Sequence, residues 1–168
     1  MEKFHSKKFI YRFLVIGLLA VTLICFGLSK YEMRIKKFST EGIPVLTEAD
    51  GARVTVENVG RIPDRYRGKY MVQVGGFAYI KGQPTDSVAI HVLLQDESTG
   101  DVFLFPTAMK ELDGLTELAG DGVDYTNSGF SAGVYTNNKV FTTHRLRVLL
   151  LYTLADETYL METDTYLE

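Results

Sequence analysis

An uninterrupted apolar run near the N-terminus constrains this sequence more than any other feature. Sixteen residues, Phe13–Leu28, contain no charge, and the apolar stretch extends back past Arg12 to Phe9. As a helix, residues 9–28 would be about 30 Å long, which matches the hydrocarbon core of a bilayer. Arg12 lies about one turn inside the end, where its long side chain can reach the headgroups. We therefore expect a transmembrane helix over residues 9–28.

Two other interpretations of this run stay open. One is a buried core helix of a soluble protein, which a chain of 168 residues has little room to surround. The other is a signal peptide, because Gly27 and Ser29 are small residues that would allow cleavage after Ser29. The run is long for a signal peptide, so we favour an uncleaved signal anchor.

The orientation of the span depends on the residues that flank it. Four basic residues precede the run and four follow it, so the count of positive charges favours neither side. A short basic tail before the first span usually stays in the cytoplasm, and a long C-terminal domain is translocated largely regardless of its charge. We expect a single-pass cell-membrane protein with a cytoplasmic tail over residues 1–8, a juxtamembrane spacer over 29–42 and an extracytoplasmic domain over 43–168.

Net charge differs between the two parts of the chain. Residues 1–42 hold eight Lys/Arg and three Asp/Glu, which gives +5, whereas residues 43–168 hold ten and eighteen, which gives −8. Binding to phosphates needs a positive field, so we expect no nucleic-acid partner for the acidic domain. Cys25, the one cysteine of the sequence, lies in the apolar run, so disulfides do not stabilise the domain.

From Gly42 onward the apolar pattern has a period of two, which indicates β-strands. Gly75 and Gly76 adjoin within one strand and predict a bulge or a close backbone approach. Thr107–Leu112 is a candidate helical turn, and Arg145–Thr153 is the most apolar strand, expected at the centre of a sheet. The predicted strands are Arg53–Val59, Tyr70–Ile80, Ser87–Gln95, Val102–Phe105, Gly129–Thr136, Arg145–Thr153 and Thr158–Leu167. Six or seven strands at this spacing predict an all-β fold, an immunoglobulin-like β-sandwich.

Several segments carry a resemblance to a known family. They are GGFAYIKGQ (Gly75–Gln83), VLLQDESTGDVFLF (Val92–Phe105), VDYTNSGFSAGV (Val123–Val134), RVLLLYT (Arg147–Thr153) and TYLMETD (Thr158–Asp164). Across residues 52–167 the chain resembles extracytoplasmic β-sandwich modules of membrane-anchored cell-envelope proteins of Gram-positive bacteria, which occur beside polysaccharide-handling machinery. The resemblance implies a β-sandwich and no catalytic residues. Phe77 stands in the glycine-rich strand in place of a Trp, which weakens the inference of sugar binding.

Candidate catalytic chemistry is sparse in this sequence. It contains no GxSxG, HExxH, P-loop or CxxC motif, so nothing points to an enzyme. His91 and His144 lack neighbours at metal-ligand spacing, and we expect both to be surface or strand-end residues. The segment Arg61–Lys69 is locally basic, and we interpret it as a solvated loop rather than an anion site.

The acidic connection between two predicted strands offers oxygen ligands. Calcium takes six to eight oxygens, and loops on a β-sandwich can supply them. Asp113, Asp121 and Asp124 are therefore candidate calcium ligands, although their spacing does not match an EF-hand loop. The other interpretation is a solvated loop that keeps an acidic domain soluble. Beyond this candidate calcium ion we expect no cofactor.

Two tyrosines, Tyr66 and Tyr125, lie in connecting segments and are candidate exposed binding residues. Together these features predict a non-enzymatic accessory or interaction module, tethered at the cell envelope near a membrane-protein partner. The tether would raise the effective concentration of the domain toward that partner. The alternative is a domain whose loops bind an envelope polysaccharide, with or without calcium.

Overall fold

The structure, a computed structural model, describes residues 2–32, 34–66 and 68–168, with side chains for 10–27, 34–66 and 68–168. Met1 of the predicted tail, Met33 of the predicted spacer and Arg67 of the basic segment lie outside the described residues. The chain divides into two compact units, residues 1–34 and 35–168.

The first unit is helix α1, Glu2–Glu32. Its segment Ile10–Gly27 is long and apolar enough to cross a membrane or to form a signal sequence. All the side chains of this segment are exposed within the unit, as expected for a helix whose apolar surface has no protein partner. The helical prediction for residues 9–28 is confirmed, and the helix extends beyond that range at both ends.

The second unit is mostly β-structure in two sheets. Its described residues form ten strands, which are β1 (Lys36–Phe38), β2 (Val45–Leu46), β3 (Ala52–Asp64), β4 (Lys69–Ile80), β5 (Val88–Asp96), β6 (Val102–Leu104), β7 (Thr107–Lys110), β8 (Gly129–Thr136), β9 (Leu146–Leu154) and β10 (Glu157–Leu167). Between them lie two short helices, α2 (Leu115–Ala119) and α3 (Lys139–Thr143), and two 3₁₀ turns (Glu48–Asp50 and Thr126–Ser128).

The strands follow one another across the two sheets in a fixed order. The six-stranded sheet runs β1-β6-β5-β9-β10-β2, and the four-stranded sheet runs β3-β4-β8-β7. Neighbouring strands are antiparallel except β2 and β10, which pair in parallel over two residues each. Strand β9 lies between β5 and β10, so the prediction of a central apolar strand is confirmed.

One hydrophobic core joins the inner faces of both sheets. In β4 the buried residues Val72, Val74 and Ala78 alternate with partly exposed ones, and they pack with Leu150 and Tyr152 of β9. This alternation is the period of two that the sequence pattern predicts. All seven predicted strands occur as strands, with ends that shift by one to five residues.

The outer face of the six-stranded sheet carries a second apolar cluster. Leu149 and Leu151 of β9 are buried there, and Phe38 and Ile43 of the N-terminal segment pack over this cluster. The same segment adds β1 to one edge of the sheet and β2 to the other. The predicted spacer over 29–42 is therefore wrong from residue 35 onward, because that part of the segment belongs to the β unit.

Two local predictions fail for the same reason. Thr107–Leu112 is not a helical turn: Thr107–Lys110 forms β7, because the Thr107 hydroxyl accepts the N–H of Val92 and β7 pairs with β8. The turn expected at Asn137–Asn138 leads into α3, with the Asn138 side chain accepting the Val140 N–H at the helix start. Tertiary contacts decide both segments, and a short window of sequence does not contain them.

Candidate functional site at the open sheet edges

The acidic connection folds on itself instead of presenting oxygens. Asp121 accepts the hydroxyl of Tyr125 at 2.6 Å and the N–H of Val123 at 3.1 Å. Asp124 accepts the N–H of Thr126 at 2.9 Å and the hydroxyl of Thr116 at 3.3 Å. The hydrogen bond from Tyr125 is the main cause that lowers the pKa of Asp121, and those from Thr126 lower the pKa of Asp124.

This arrangement does not form the candidate calcium site. Asp113 is exposed, while the carboxylates of Asp121 and Asp124 are engaged with their own loop. Over residues 2–32, 34–66 and 68–168, no three His, Cys, Asp or Glu side chains are grouped so that they could hold a metal ion. The prediction of Asp113, Asp121 and Asp124 as calcium ligands is therefore corrected: the two engaged carboxylates hold the loop in shape.

Tyr125 is buried, so its prediction as an exposed binding residue is wrong. Its hydroxyl donates to Asp121 and accepts the N–H of Gly82 at 2.7 Å, and its ring lies 4.2 Å from that of Tyr79. Burial is the main cause that raises the pKa of Tyr125, and the bond to Asp121 adds to it. The residue ties the acidic connection to the end of β4.

Tyr66 lies at the turn between β3 and β4 and is fully exposed. Its N–H donates to Asp64 at 3.0 Å, which fixes the backbone of the turn and leaves the ring in solvent. The expected exposure of Tyr66 is confirmed, and its role in binding stays a prediction.

Arg61, part of the segment predicted to be solvated, is half-buried. Its guanidinium donates to three backbone carbonyls, those of Phe141 at 2.9 Å, Leu167 at 3.3 Å and His144. Burial lowers the pKa of Arg61. With its donors used in this way, Arg61 holds the chain ends together and does not serve as an anion site.

His144 and Asp96 form the closest pair of titratable side chains of opposite type. The Nδ1 atom of His144 lies 2.7 Å from Asp96, whose other oxygen accepts the N–H and hydroxyl of Ser98 at 2.9 and 2.6 Å. The Ser98 hydroxyl donates to Asp96 and does not face His144 as a nucleophile facing its base would. The cluster therefore joins the β5–β6 turn to the residues that precede β9.

Hydrogen bonds of this cluster predict a pH dependence of stability. Ser98 is the first cause that lowers the pKa of Asp96 to about 2, with His144 adding to it and burial opposing it. The carboxylate therefore stabilises the fold above its unfolded-state pKa of about 4, and this contribution is lost as the pH falls from about 4 to about 2. We expect Asp96→Asn to reduce the free energy of unfolding near pH 6 and to flatten its acid decline.

Urea unfolding followed by tyrosine fluorescence at about pH 6, 4 and 2 measures this effect. Asp86→Asn, which removes an exposed carboxylate, is the matched control and should follow the native profile. An acid decline in Asp96→Asn as steep as in the native chain would show that Asp96 does not cause it.

The remaining concave feature of functional interest is a groove between β3 and β10, which we call the edge groove. It has a volume of about 290 Å³. The apolar part is made by Val54, Val56 and Met161, and the carboxylates of Glu48, Glu162 and Asp164 also line it. Strand β3 ends one sheet, and β2 covers the edge of β10 only at Leu160 and Met161.

Backbone groups of β3 face this groove. The N–H of Ala52 donates to the Thr47 carbonyl, away from β4. Because successive residues of an edge strand direct their N–H and C=O groups alternately toward and away from the paired strand, those of Val54 and Val56 also point away from β4. The edge groove thus combines open main-chain donors and acceptors with an apolar wall and three carboxylates.

No family model, curated protein or solved structure matches this chain. The functional argument therefore rests on the geometry alone. Sequence reasoning missed the edge groove because its open edges follow from the order of strands in the sheets. The one local signal was the alternation of Val54 and Val56 beside a polar segment, which predicts a strand but not an edge.

Proposed function

We propose that this protein is a single-pass, membrane-anchored accessory module of the cell envelope, without enzymatic activity. Its N-terminus is cytoplasmic, and its extracytoplasmic domain is an immunoglobulin-like β-sandwich. The domain binds a membrane-protein partner that adds an extended strand at the edge groove. The observation that carries this proposal is the groove itself, where open edges of both sheets face one apolar-walled cavity.

The order of strands supports an immunoglobulin-like fold. The sequence β3-β4-β8-β7 corresponds to strands A, B, E and D of an immunoglobulin domain, and β6-β5-β9-β10 corresponds to C′, C, F and G. In this correspondence β1 and β2 are additions at the outer edges of one sheet. The hairpins β3–β4, β5–β6 and β9–β10 occupy the places of A–B, C–C′ and F–G.

Membrane anchoring is supported by the helix α1. Its segment Ile10–Gly27 is apolar throughout and has the length of a bilayer core. Lys3, Lys7 and Lys8 precede it, which favours a cytoplasmic N-terminus by the rule for short basic tails. A tethered domain meets membrane partners at high effective concentration, so a modest interaction at the edge groove suffices for assembly.

Strand addition explains how the groove would bind. Main-chain hydrogen bonds to an edge strand provide affinity, and side-chain contacts along the added strand provide specificity. Glu48, Glu162 and Asp164 give the groove an acidic rim, although Arg147 bonds Glu162 at 3.1 Å and lies 3.9 Å from Asp164. A partner segment that alternates apolar and basic residues fits this combination.

The test blocks the β3 edge in the full chain. Val54→Pro removes an N–H that faces the groove and leaves the ladder between β3 and β4 intact, since proline is tolerated on the open side of an edge strand. We expect the yield of a membrane-protein partner, cross-linked in intact cells and extracted in mild detergent, to fall about tenfold.

Asp86→Pro is the matched control for this test. Asp86 is exposed and follows the first residue of the turn closed by the hydrogen bond from Val88 to Thr85, a position that favours proline. It should leave the yield unchanged. Recovery of the native chain without any reproducible partner, or an equal yield from Val54→Pro, would overturn the proposal.

A further inference from the structure

The outer face of the four-stranded sheet carries a second concave feature, which we call the polar trough. It has a volume of about 290 Å³ and is separate in its lining residues from the edge groove. Polar side chains line it from three strands and the adjoining bulge. They are Glu57, Asn58, Gln73, Lys110 and Ser131, placed around Gly75.

Glycines keep the centre of the trough free of side chains. Asn58, Gly75 and Ser131 are neighbours across β3, β4 and β8, and the adjacent row is Gly60, Gln73 and Gly133. A Cβ atom added at Gly75 would meet only the Phe130 carbonyl oxygen, at an ordinary 3.5 Å, and one added at Gly60 would meet nothing within 4 Å. Gly75 therefore forms an open floor between polar walls.

A bulge in β3 supplies one of those walls. Val56 pairs with Gly76 and Asn58 pairs with Gly75, so Glu57 is an extra residue without a partner in the ladder. Consecutive residues of a regular strand point to opposite faces, yet Glu57 and Asn58 both line the trough. Bulges redirect side chains in this way and recur beside functional sites.

The neighbouring glycine makes this bulge possible. A Cβ atom at Gly76 would overlap the carbonyl oxygen of Thr55, so the β3 backbone can come this close only to a glycine. The Gly75–Gly76 pair thus has two separate effects. Gly76 admits the bulge that presents Glu57, and Gly75 clears the floor between Asn58 and Ser131.

The polar groups of the trough are uncommitted. Within the described part of the chain, the side chains of Glu57, Asn58, Gln73, Lys110 and Ser131 make no hydrogen bond or ion pair, unlike the carboxylates of the acidic connection. A carboxylate, two carboxamides, an ammonium and a hydroxyl face one cavity. Convergent, unpaired donors and acceptors in a concave site are typical of a small polar ligand.

The charges of the lining select among polar ligands. Lys110 and Glu57 contribute one charge of each sign, so the trough offers no net field to a phosphate polymer or another polyanion. Amide and carboxylate groups placed side by side pair with adjacent hydroxyls, each of which both donates and accepts a hydrogen bond. We propose that the polar trough binds one or two sugar units of a neutral envelope glycan.

This site differs from the loop-borne, calcium-assisted site that the sequence suggested. It uses residues of three adjacent strands, needs no cation, and does not depend on the edge groove or its partner. The module would then hold a glycan on one sheet face while the edges of the sheets bind protein.

The test titrates the full chain, labelled with ¹⁵N and held in detergent micelles, with a β-1,4-linked tetramer of N-acetylglucosamine. We expect saturable amide shifts centred on Gln73, Gly75 and Ser131, with dissociation in the millimolar range, on the order of 1 mM. Asn58→Ala and Gln73→Ala should each weaken binding about fivefold, since each removes hydrogen bonds to the sugar. Asn137→Ala, an exposed asparagine outside the trough, is the matched control and should bind as the native chain does.

Gly75→Ala gives an independent check that does not remove a polar group. It raises the floor by one methyl without a backbone clash, so the melting temperature should change little while sugar affinity falls. Absence of saturable shifts, shifts that persist in Asn58→Ala and Gln73→Ala, or binding of poly(glycerol phosphate) in place of the neutral tetramer would overturn the proposal. Val54→Pro should keep sugar binding, which separates this result from failure at the edge groove.

Discussion

Replacing Gly76 with alanine is expected to destabilise the β unit by about 3 kcal/mol or more. The added Cβ would overlap the carbonyl oxygen of Thr55, a backbone atom that cannot rotate away as a side chain would. Relief requires β3 to move off β4, and β3 carries Val54 and Val56, which pack against the main core. The strain is therefore transmitted to the sheet, and we expect the melting temperature to fall by about 10 °C.

Differential scanning calorimetry of the full chain measures this loss, with Gly75→Ala as the matched control. The two substitutions add the same methyl to adjacent residues of one strand. The Cβ at Gly75 meets nothing closer than 3.5 Å, so its cost should stay below about 1 kcal/mol. Equal melting temperatures for the two variants would show that β3 does not approach Gly76 as the structure has it.

The strands of the β unit were predictable because their signal is local. Alternation in residues 70–80 and the apolar run in 145–153 report which faces are buried, and burial is what defines β4 and β9. Gly75 and Gly76 also carried a correct local message, since adjacent glycines in a strand have few other causes. The short strands β1 and β2 have no such pattern: two or three residues cannot show a period.

The candidate sites were harder to predict because they depend on non-local neighbours. An aspartate followed four residues later by a tyrosine looks the same in sequence whether the pair is solvated or closed, as Asp121 and Tyr125 are. The edge groove requires the order of strands, and the polar trough requires the register of three of them. Residues that are polar, exposed and far apart in sequence give no composition signal when the fold brings them together.

Arg61 is the second position where one substitution should have a large effect. Its guanidinium joins β3 of the four-stranded sheet to the Leu167 carbonyl at the end of β10, and to the carbonyls of Phe141 and His144 around α3. Leu167 and Phe141 are themselves buried in the main core. Three donors in a fixed planar group thus close one end of the space between the sheets.

Arg61→Met is expected to reduce the free energy of unfolding by about 3 kcal/mol, because the three carbonyls lose their charged donor and methionine offers none. Arg61→Lys should recover only part of this, since one ammonium cannot reproduce the planar fork. Arg53→Met is the matched control: Arg53 also donates to two carbonyls, those of Glu48 and Ala52, but its side chain is exposed, so its loss should cost less than about 1 kcal/mol.

Hydrogen exchange locates the effect and separates a local closure from a general loss of stability. In Arg61→Met the amides of α3 and of the last residues of β10 should exchange faster than those of β5 and β9, because the lost bonds hold the first two segments to β3. Uniform acceleration across the β unit, or an unfolding free energy equal to that of Arg53→Met, would contradict this role. Arg61 would then be an ordinary surface arginine whose carbonyl contacts water can replace, as the basic composition of its segment suggested.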